Sequence, residues 1–193
     1  MMQGILLAAG YGRRFDPEGR HDKLLAPLAD GRPVLWHSAR ALCLTLPGSL
    51  AVVRPGQAER VRWLRMAGCE IVESVLAEQG MGAALAVAVG ASRHAEGWVV
   101  ALADMPWLPS EIVRHVARAI DEPTRVAAPL FEGRRGHPVG FGRAWGARLG
   151  ALTGDGGARD LLRNAEVRLL ECGEAGVVRD VDRVADLGAA LGD

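Results

Sequence analysis

The chain of 193 residues is 49% apolar and 24% charged, which suits one substantial core and is too short for two large ones. Its 23 basic side chains balance 23 acidic ones and the pI is near 7.0, so no bulk field draws the protein to nucleic acid or to a lipid surface. We therefore expect one domain, residues 1–193, with neither nucleic acid nor a membrane as a partner. Any anion that it binds must be held locally.

Five short apolar runs predict strands that are buried on both faces of a sheet. They cover residues 5–8, 51–53, 69–72, 98–102 and 126–128. Helical periodicity occupies residues 35–46, 83–91 and 112–120 between and after them. Alternating strands and helices predict right-handed βαβ units, and hence an α/β protein, a three-layer α/β/α sandwich with a Rossmann-like, mostly parallel sheet.

The pattern changes after Pro129. Residues 130–131, 136–141 and 167–170 have the character of shorter strands among glycine loops. We expect this region to add mixed or antiparallel strands and part of a substrate lid.

The cysteines and the N-terminus bear on the compartment. Cys43, Cys69 and Cys172 are odd in number and lack the two-residue spacing of a zinc or redox pair, so we expect reduced thiols. No basic segment precedes the apolar residues at the N-terminus, and no run of about 20 apolar residues occurs. The expected location is the cytoplasm.

A glycine loop follows the first predicted strand. Gly10 and Gly12 leave the backbone N–H groups of residues 9–14 free to surround a polyphosphate. Two arginines follow at once and Lys23 comes soon after, which together supply the charge needed to neutralise a leaving pyrophosphate. From these residues alone, a tight turn with solvated arginines is an equally good interpretation.

Two other glycine motifs fail here. A dinucleotide-binding fingerprint needs a third glycine where the chain has Phe15, and an acidic residue at the end of the second strand, whereas Asp30 lies in a turn-like segment. A P-loop needs Gly-Lys-Ser/Thr, but Gly12 is followed by Arg13.

The same residues carry a family resemblance. The segment Leu7-Ala8-Ala9-Gly10-x-Gly12-x-Arg14-Phe15, followed by Lys23-Leu24-Leu25, resembles the signature of nucleotidyltransferases that activate sugars, sugar alcohols and molybdopterin. The likeness is greatest to the MobA-like group, and within it to the molybdenum cofactor cytidylyltransferases. The resemblance implies a sheet of the nucleotide-diphospho-sugar transferase type. The span of residues 16–22 is longer than in the family, which leaves the shape of the loop before Lys23 open.

Two aspartates form the metal site that this resemblance implies. Asp104 follows the strand of residues 98–102, and Mg²⁺ is bound by one or two carboxylates with water and substrate phosphates. An isolated Asp-x-Pro would favour a turn instead. The closing segment, residues 178–187, resembles the family's Asp-Ile-Asp-Thr-Pro motif and assigns the second ligand to Asp182, which has the alternative of capping the last helix.

The resemblance also implies roles for further residues. The implied catalytic residues are Arg14, Lys23 and Asp104. The implied nucleotide-binding residues are Leu7, Ala8, Ala9, Gly10, Gly12, Arg14, Lys23, Gln79, Gly80 and Met81. The implied acceptor-binding residues lie within about 130–175 and are Gly136, His137, Pro138, Gly154, Asp155 and Arg159.

These motifs together predict nucleotidyl transfer that depends on Mg²⁺. Ala9 stands where the guanylyl-transferring branch has a second glycine, so the resemblance implies CTP and molybdopterin as substrates, with release of pyrophosphate. It also implies a transient contact with a molybdoenzyme or its chaperone. The alternatives are GTP, a sugar-phosphate-like acceptor, or a non-catalytic chaperone that binds the cofactor. No general base is obvious, and a phosphate nucleophile needs none because it is already ionised.

Overall fold

The computed structural model describes residues 1–188, which form one eight-stranded mixed sheet with helices on both faces. The strands are β1 Met2–Leu7, β2 Leu50–Val53, β3 Glu70–Glu73, β4 Gly97–Leu102, β5 Val126–Phe131, β6 Arg134–Arg135, β7 Val139–Gly142 and β8 Val167–Glu171. Their order is β3-β2-β1-β4-β7-β5-β6, and β8 pairs with β5 outside this path.

The pairing confirms the predicted Rossmann-like, mostly parallel sheet. β1 lies parallel to both β2 and β4, and β2 lies parallel to β3. β7 runs antiparallel between β4 and β5, while β8 is parallel to β5. The mixed strands therefore belong to the glycine-rich second part of the sequence.

The prediction of a separate short strand at residues 130–131 was wrong, because β5 continues through Pro129. Pro129 lacks an N–H, but its carbonyl accepts a hydrogen bond from the amide of Gly136 at 2.8 Å. Its Cα is in register with Leu170 of β8. Neighbouring strands on both sides thus keep β5 extended.

The described helices are α1 Val34–Thr45, α2 Ala58–Ala67, α3 Met81–Ala91, α4 Ser110–Ala119, α5 Gly146–Gly150 and α6 Arg159–Arg163. The apolar periodicity predicted α1, α3 and α4 but not α2. The buried residues of α2 are Arg60, Leu64 and Ala67, so an arginine occupies one of the positions where the pattern needs an apolar side chain. Within residues 1–188, no helix combines the length and the apolar character that crossing a bilayer requires.

Two apolar cores separate the three layers. Alternate residues of β1 point to opposite faces, so Leu6 packs in the core beneath α1, α2 and α4, whereas Ile5 packs in the core beneath α3 and α5. Val99 and Val100 of β4 divide in the same way. This arrangement confirms the α/β/α sandwich.

The three cysteines are free thiols. Cys43 and Cys69 are buried, with their sulfur atoms 3.3 Å apart, and Cys172 is half-buried.

Candidate active site

The carboxyl ends of β1 and β4 open together into a cavity of about 380 Å³. Leu7 and Leu102 are in register across these parallel strands, so the glycine loop after β1 meets Asp104 after β4. Ligands of open α/β sheets bind at this edge. Nine of the predicted nucleotide-binding residues line the cavity, namely Leu7, Ala9, Gly10, Gly12, Arg14, Lys23, Gln79, Gly80 and Met81.

Ala8 is the predicted nucleotide-binding residue that does not line the cavity. Its side chain is fully buried in the core beneath α1. Its backbone amide donates to the carbonyl of Val52 at 3.0 Å, and its own carbonyl accepts from Arg60. Ala8 therefore anchors the loop to the sheet.

The glycine loop keeps its amides available. The N–H groups of residues 9–14 donate no hydrogen bond to any of residues 1–188, although they line a cavity. Gly12 has φ of 65°, and a Cβ there would lie 3.2 Å from the side chain of Lys23. The loop thus offers a set of unpaired donors suited to an anion, with Lys23 packed against its turn.

Three carboxylates meet at the open end of β4. Asp104, Asp180 and Asp182 each offer one oxygen atom, and these atoms lie within 4.8 Å of one another. Oxygen donors of this kind bind hard divalent cations such as Mg²⁺ or Mn²⁺. The three residues therefore fit the predicted divalent metal, with one more carboxylate than the sequence assigned.

Asp180 was not among the metal ligands predicted from the sequence. Burial raises its pKa, and the negative charges of Asp182 and Asp104 raise it further. A cation bound among the three carboxylates would remove that repulsion. The available sequence signal was the spacing to Asp182, since alternate residues of an extended segment lie on one face.

Two basic side chains contact this acidic cluster. The Nζ atom of Lys23 lies 2.8 Å from Asp104 Oδ2, 3.0 Å from the carbonyl of Val181 and 3.5 Å from Asp182 Oδ1. Arg14 donates to Asp182 Oδ2 at 2.8 Å. The Lys23 side chain is 11% exposed and that of Arg14 is 79% exposed, so the ion pair between Lys23 and Asp104 is better shielded from water than the one between Arg14 and Asp182.

The closing segment is fixed to β4 by its backbone. The amide of Val181 donates to the carbonyl of Asp104 at 2.8 Å. Asp186 accepts from the amides of Asp182 and Arg183, at 2.8 and 2.7 Å. The carboxylate that caps the last 3-10 turn is therefore that of Asp186. The carboxylate of Asp182 pairs with Arg14 and Lys23 instead.

A second cavity of about 310 Å³ adjoins the first and shares Leu7, Met81, Leu102 and Asp155 with it. Of the predicted acceptor-binding residues, it is lined by Gly136, His137, Asp155 and Arg159. Arg135, on β6, also lines it. This cavity has two exposed guanidinium groups at its edge, which suits an anionic acceptor.

Pro138 and Gly154, also predicted to bind the acceptor, lie outside the lining of both cavities. Pro138 is buried and follows a cis peptide bond. The carbonyl of Gly154 accepts a hydrogen bond from Gly82 at 2.8 Å, and a Cβ on Gly82 would lie 2.7 Å from the carbonyl oxygen of Thr153. Gly82 is needed because only a glycine lets the start of α3 approach this loop so closely.

His137 is neutral at physiological pH. Burial lowers its pKa to about 4, and the nearby Asp104 offsets part of that shift. It can hydrogen-bond to an acceptor phosphate without adding charge. The positive charge of the second cavity therefore comes from arginine.

This lowered pKa predicts a pH-dependent stability. An unfolded histidine titrates near pH 6.5, so the stabilising effect of the neutral form is full above that pH and is lost as the pH falls toward 4. Between pH 7 and pH 5, the free energy of unfolding of the unchanged protein should fall by about 1 to 2 kcal/mol more than that of His137→Gln. Urea unfolding at both pH values measures the difference, with the exposed His94→Gln as control. Equal losses in all three proteins would refute the assignment.

Tyr11 also lines the first cavity, and only its backbone amide was predicted to take part in the site. Its ring lies 3.8 Å from the guanidinium carbon of Arg54 and 5.0 Å from that of Arg13. Such contacts hold an aromatic ring in one orientation. The sequence signal that could have indicated this role is the presence of an aromatic residue between the two glycines of the loop.

Comparison with known proteins agrees with this geometry. The family model described as the MobA-like NTP transferase domain matches residues 4–170. Rv0371c of Mycobacterium tuberculosis, in a complex with manganese, is 26% identical with a TM-score of 0.74, over 96% of this chain and 95% of that one. A search of curated proteins gives no match.

Two further solved structures share the fold. The nucleotidyl transferase Mth528 of Methanothermobacter is 20% identical with a TM-score of 0.81, over 96% of this chain and 94% of that one. CMP:2-keto-3-deoxy-manno-octonic acid synthetase, complexed with CTP, is 14% identical with a TM-score of 0.73, over 96% and 95%.

The sheet, the glycine loop and the acidic cluster thus define a nucleotidyltransferase that uses nucleoside triphosphates. The chain belongs to the MobA-like NTP transferase family.

Proposed function

We propose that this protein transfers CMP from CTP to the phosphate of molybdopterin and releases pyrophosphate. The observation that carries the proposal is the meeting of the two cavities beside the acidic cluster. One cavity contains the glycine loop with its unpaired amides, and the adjoining one contains His137, Arg135 and Arg159. A triphosphate and a phosphorylated acceptor would therefore meet near Asp104.

The reaction brings two anions together, so the residues act mainly by positioning and by neutralising charge. The loop amides and Arg14 would bind the triphosphate, and Lys23 would balance the negative charge that builds up on the departing pyrophosphate. Bound Mg²⁺, held by Asp104 and Asp182 with Asp180, would polarise the α-phosphate. An oxygen of the acceptor phosphate forms the new bond to the α-phosphorus as the bond to pyrophosphate breaks.

The choice of CTP rests on the loop sequence. Ala9 lines the first cavity at the position where the guanylyl-transferring branch of the family has glycine. A structural neighbour in complex with CTP shares the fold. The family setting also supports a cytoplasmic enzyme that passes its product to a molybdoenzyme or its chaperone through a transient contact.

The test compares CTP with GTP, each with Mg²⁺ and molybdopterin. We expect pyrophosphate release with CTP, and a product whose mass equals that of molybdopterin plus CMP less water. Turnover with GTP alone would refute the cytidylyl assignment, and turnover only with a sugar phosphate would refute the acceptor. Binding of molybdopterin without turnover on either nucleotide would favour a chaperone.

A further inference from the structure

A buried arginine on α2 joins the two walls of the nucleotide cavity. Arg60 is 2% exposed and lies outside the residues that line the cavity. Its guanidinium group makes four hydrogen bonds, two to the glycine loop and two to Asp22. We propose that Arg60 is a positioning residue that sets the shape of the triphosphate-binding loop and the position of Lys23. This inference rests on the proposed binding of a nucleoside triphosphate by that loop.

The first wall is the glycine loop. Arg60 donates from Nη1 to the carbonyl of Ala8 at 2.6 Å and from Nη2 to the carbonyl of Gly10 at 2.9 Å. Arg54 donates from Nε to the carbonyl of Ala9, which lies between them, at 2.7 Å. Two guanidinium groups thus hold three successive carbonyls. Because successive peptide groups are planar and rigid, fixing their carbonyls also fixes the directions of the amides that follow.

The second wall is the segment that carries Lys23. Asp22 accepts from Arg60 Nε at 2.5 Å and from Nη2 at 2.9 Å, and this bidentate contact fixes the orientation of the carboxylate. The same carboxylate accepts from the amide of Leu24 at 2.9 Å and so caps the 3-10 turn Lys23–Leu25. The side chain of Lys23 then reaches Asp104 at 2.8 Å. Arg60 therefore acts on Lys23 through Asp22.

Only a guanidinium group can make all of these contacts. Its fork presents donors in one plane toward the carboxylate and the two carbonyls, whereas an ammonium group is a point charge on a flexible stem. The long span of residues 16–22 ends at Asp22, so this contact also fixes the end of that span next to the site. Arg60 is thus the group that keeps a long, exposed loop from shifting Lys23.

The test measures nucleotide affinity together with folding. We expect Arg60→Lys to weaken the binding of Mg²⁺-CTP by at least about tenfold, because the loop carbonyls and Asp22 are no longer held together. Leu64→Ala, on the same helix and equally buried, is the matched control for loss of stability without loss of these hydrogen bonds. Arg62→Ala, at an exposed position of α2, controls for loss of charge. Calorimetry gives Kd, and thermal unfolding gives Tm.

A chemical rescue separates positioning from packing. We expect millimolar guanidinium to restore part of the CTP affinity and turnover of Arg60→Ala, whereas methylammonium does not. The proposal is overturned if Arg60→Lys binds CTP as tightly as the unchanged protein, or if Leu64→Ala loses as much affinity as Arg60→Lys at the same fall in Tm. If the unchanged protein binds neither CTP nor GTP with Mg²⁺, the proposed function itself fails. That result is distinct, because it does not depend on Arg60.

Discussion

Replacing Asp104 by Asn is expected to reduce turnover by about a thousandfold or more while the protein remains folded. The substitution removes one negative charge from the acidic cluster and keeps the size of the side chain. The backbone carbonyl of Asp104 still accepts from Val181, so the closing segment stays attached to β4. The loss should therefore reflect metal and triphosphate binding. Steady-state release of pyrophosphate from CTP measures it, alongside the far-UV circular dichroism spectrum.

A matched control is Asp121→Asn. Asp121 is a half-exposed carboxylate that pairs with Arg125 and Arg168 and lines neither cavity. Its variant should keep full turnover. A folded Asp104→Asn enzyme that retains more than about a tenth of the turnover would contradict the assignment of Asp104 to the metal site.

The fold could be predicted from the sequence wherever burial is expressed as apolar pattern. The strands β1, β2 and β4 are buried on both faces and have continuous apolar runs, so their places were predicted to within a few residues. Helix α2 was not predicted, because Arg60 occupies a buried position that is satisfied by hydrogen bonds. The pattern of apolar residues cannot show a polar side chain whose partners lie far away in the chain.

The site residues also divide into those that a sequence motif reveals and those that depend on contacts between distant parts of the chain. Asp104 and Lys23 could be placed because each belongs to a segment that resembles a motif of the family, Asp104 after a recognisable strand and Lys23 after a glycine loop. The role of Asp22 could not, since its partner Arg60 lies in a different helix and nothing in their spacing links them. Likewise, the backbone contact between Gly82 and Gly154 depends on how the start of α3 packs against the loop that carries Gly154.

The amino-acid composition bears on why a lysine occurs at position 23. It is the only lysine among the 23 basic Lys and Arg residues of the chain. A chain that uses arginine at every other basic position retains an ammonium group where a compact charge fits between two carboxylates and a carbonyl. A guanidinium group is planar and larger, and would not occupy the same space.

Replacing Lys23 by Met is expected to have two opposite effects. Turnover should fall by about a hundredfold or more, because in the proposed reaction the leaving pyrophosphate would lose a positive charge beside it. Affinity for Mn²⁺ without nucleotide should rise by about tenfold, which corresponds to about 1.4 kcal/mol. The rise is expected because the Nζ atom lies 2.8 Å from an oxygen of Asp104 that a divalent cation would also use.

Calorimetric titration with Mn²⁺ and steady-state turnover test both effects. Lys23→Arg keeps the positive charge, so it should not bind Mn²⁺ more tightly. It should still lose turnover, because the larger, planar guanidinium group does not fit the same space. In the unchanged protein, ¹⁵N-labelled lysine provides a single side-chain Nζ signal, which should shift when Mg²⁺ is added before any nucleotide. If Lys23→Met binds Mn²⁺ no more tightly than the unchanged protein, the lysine and the metal do not compete for these carboxylates. In that case the contact between Lys23 and Asp104 would serve to hold the loop instead.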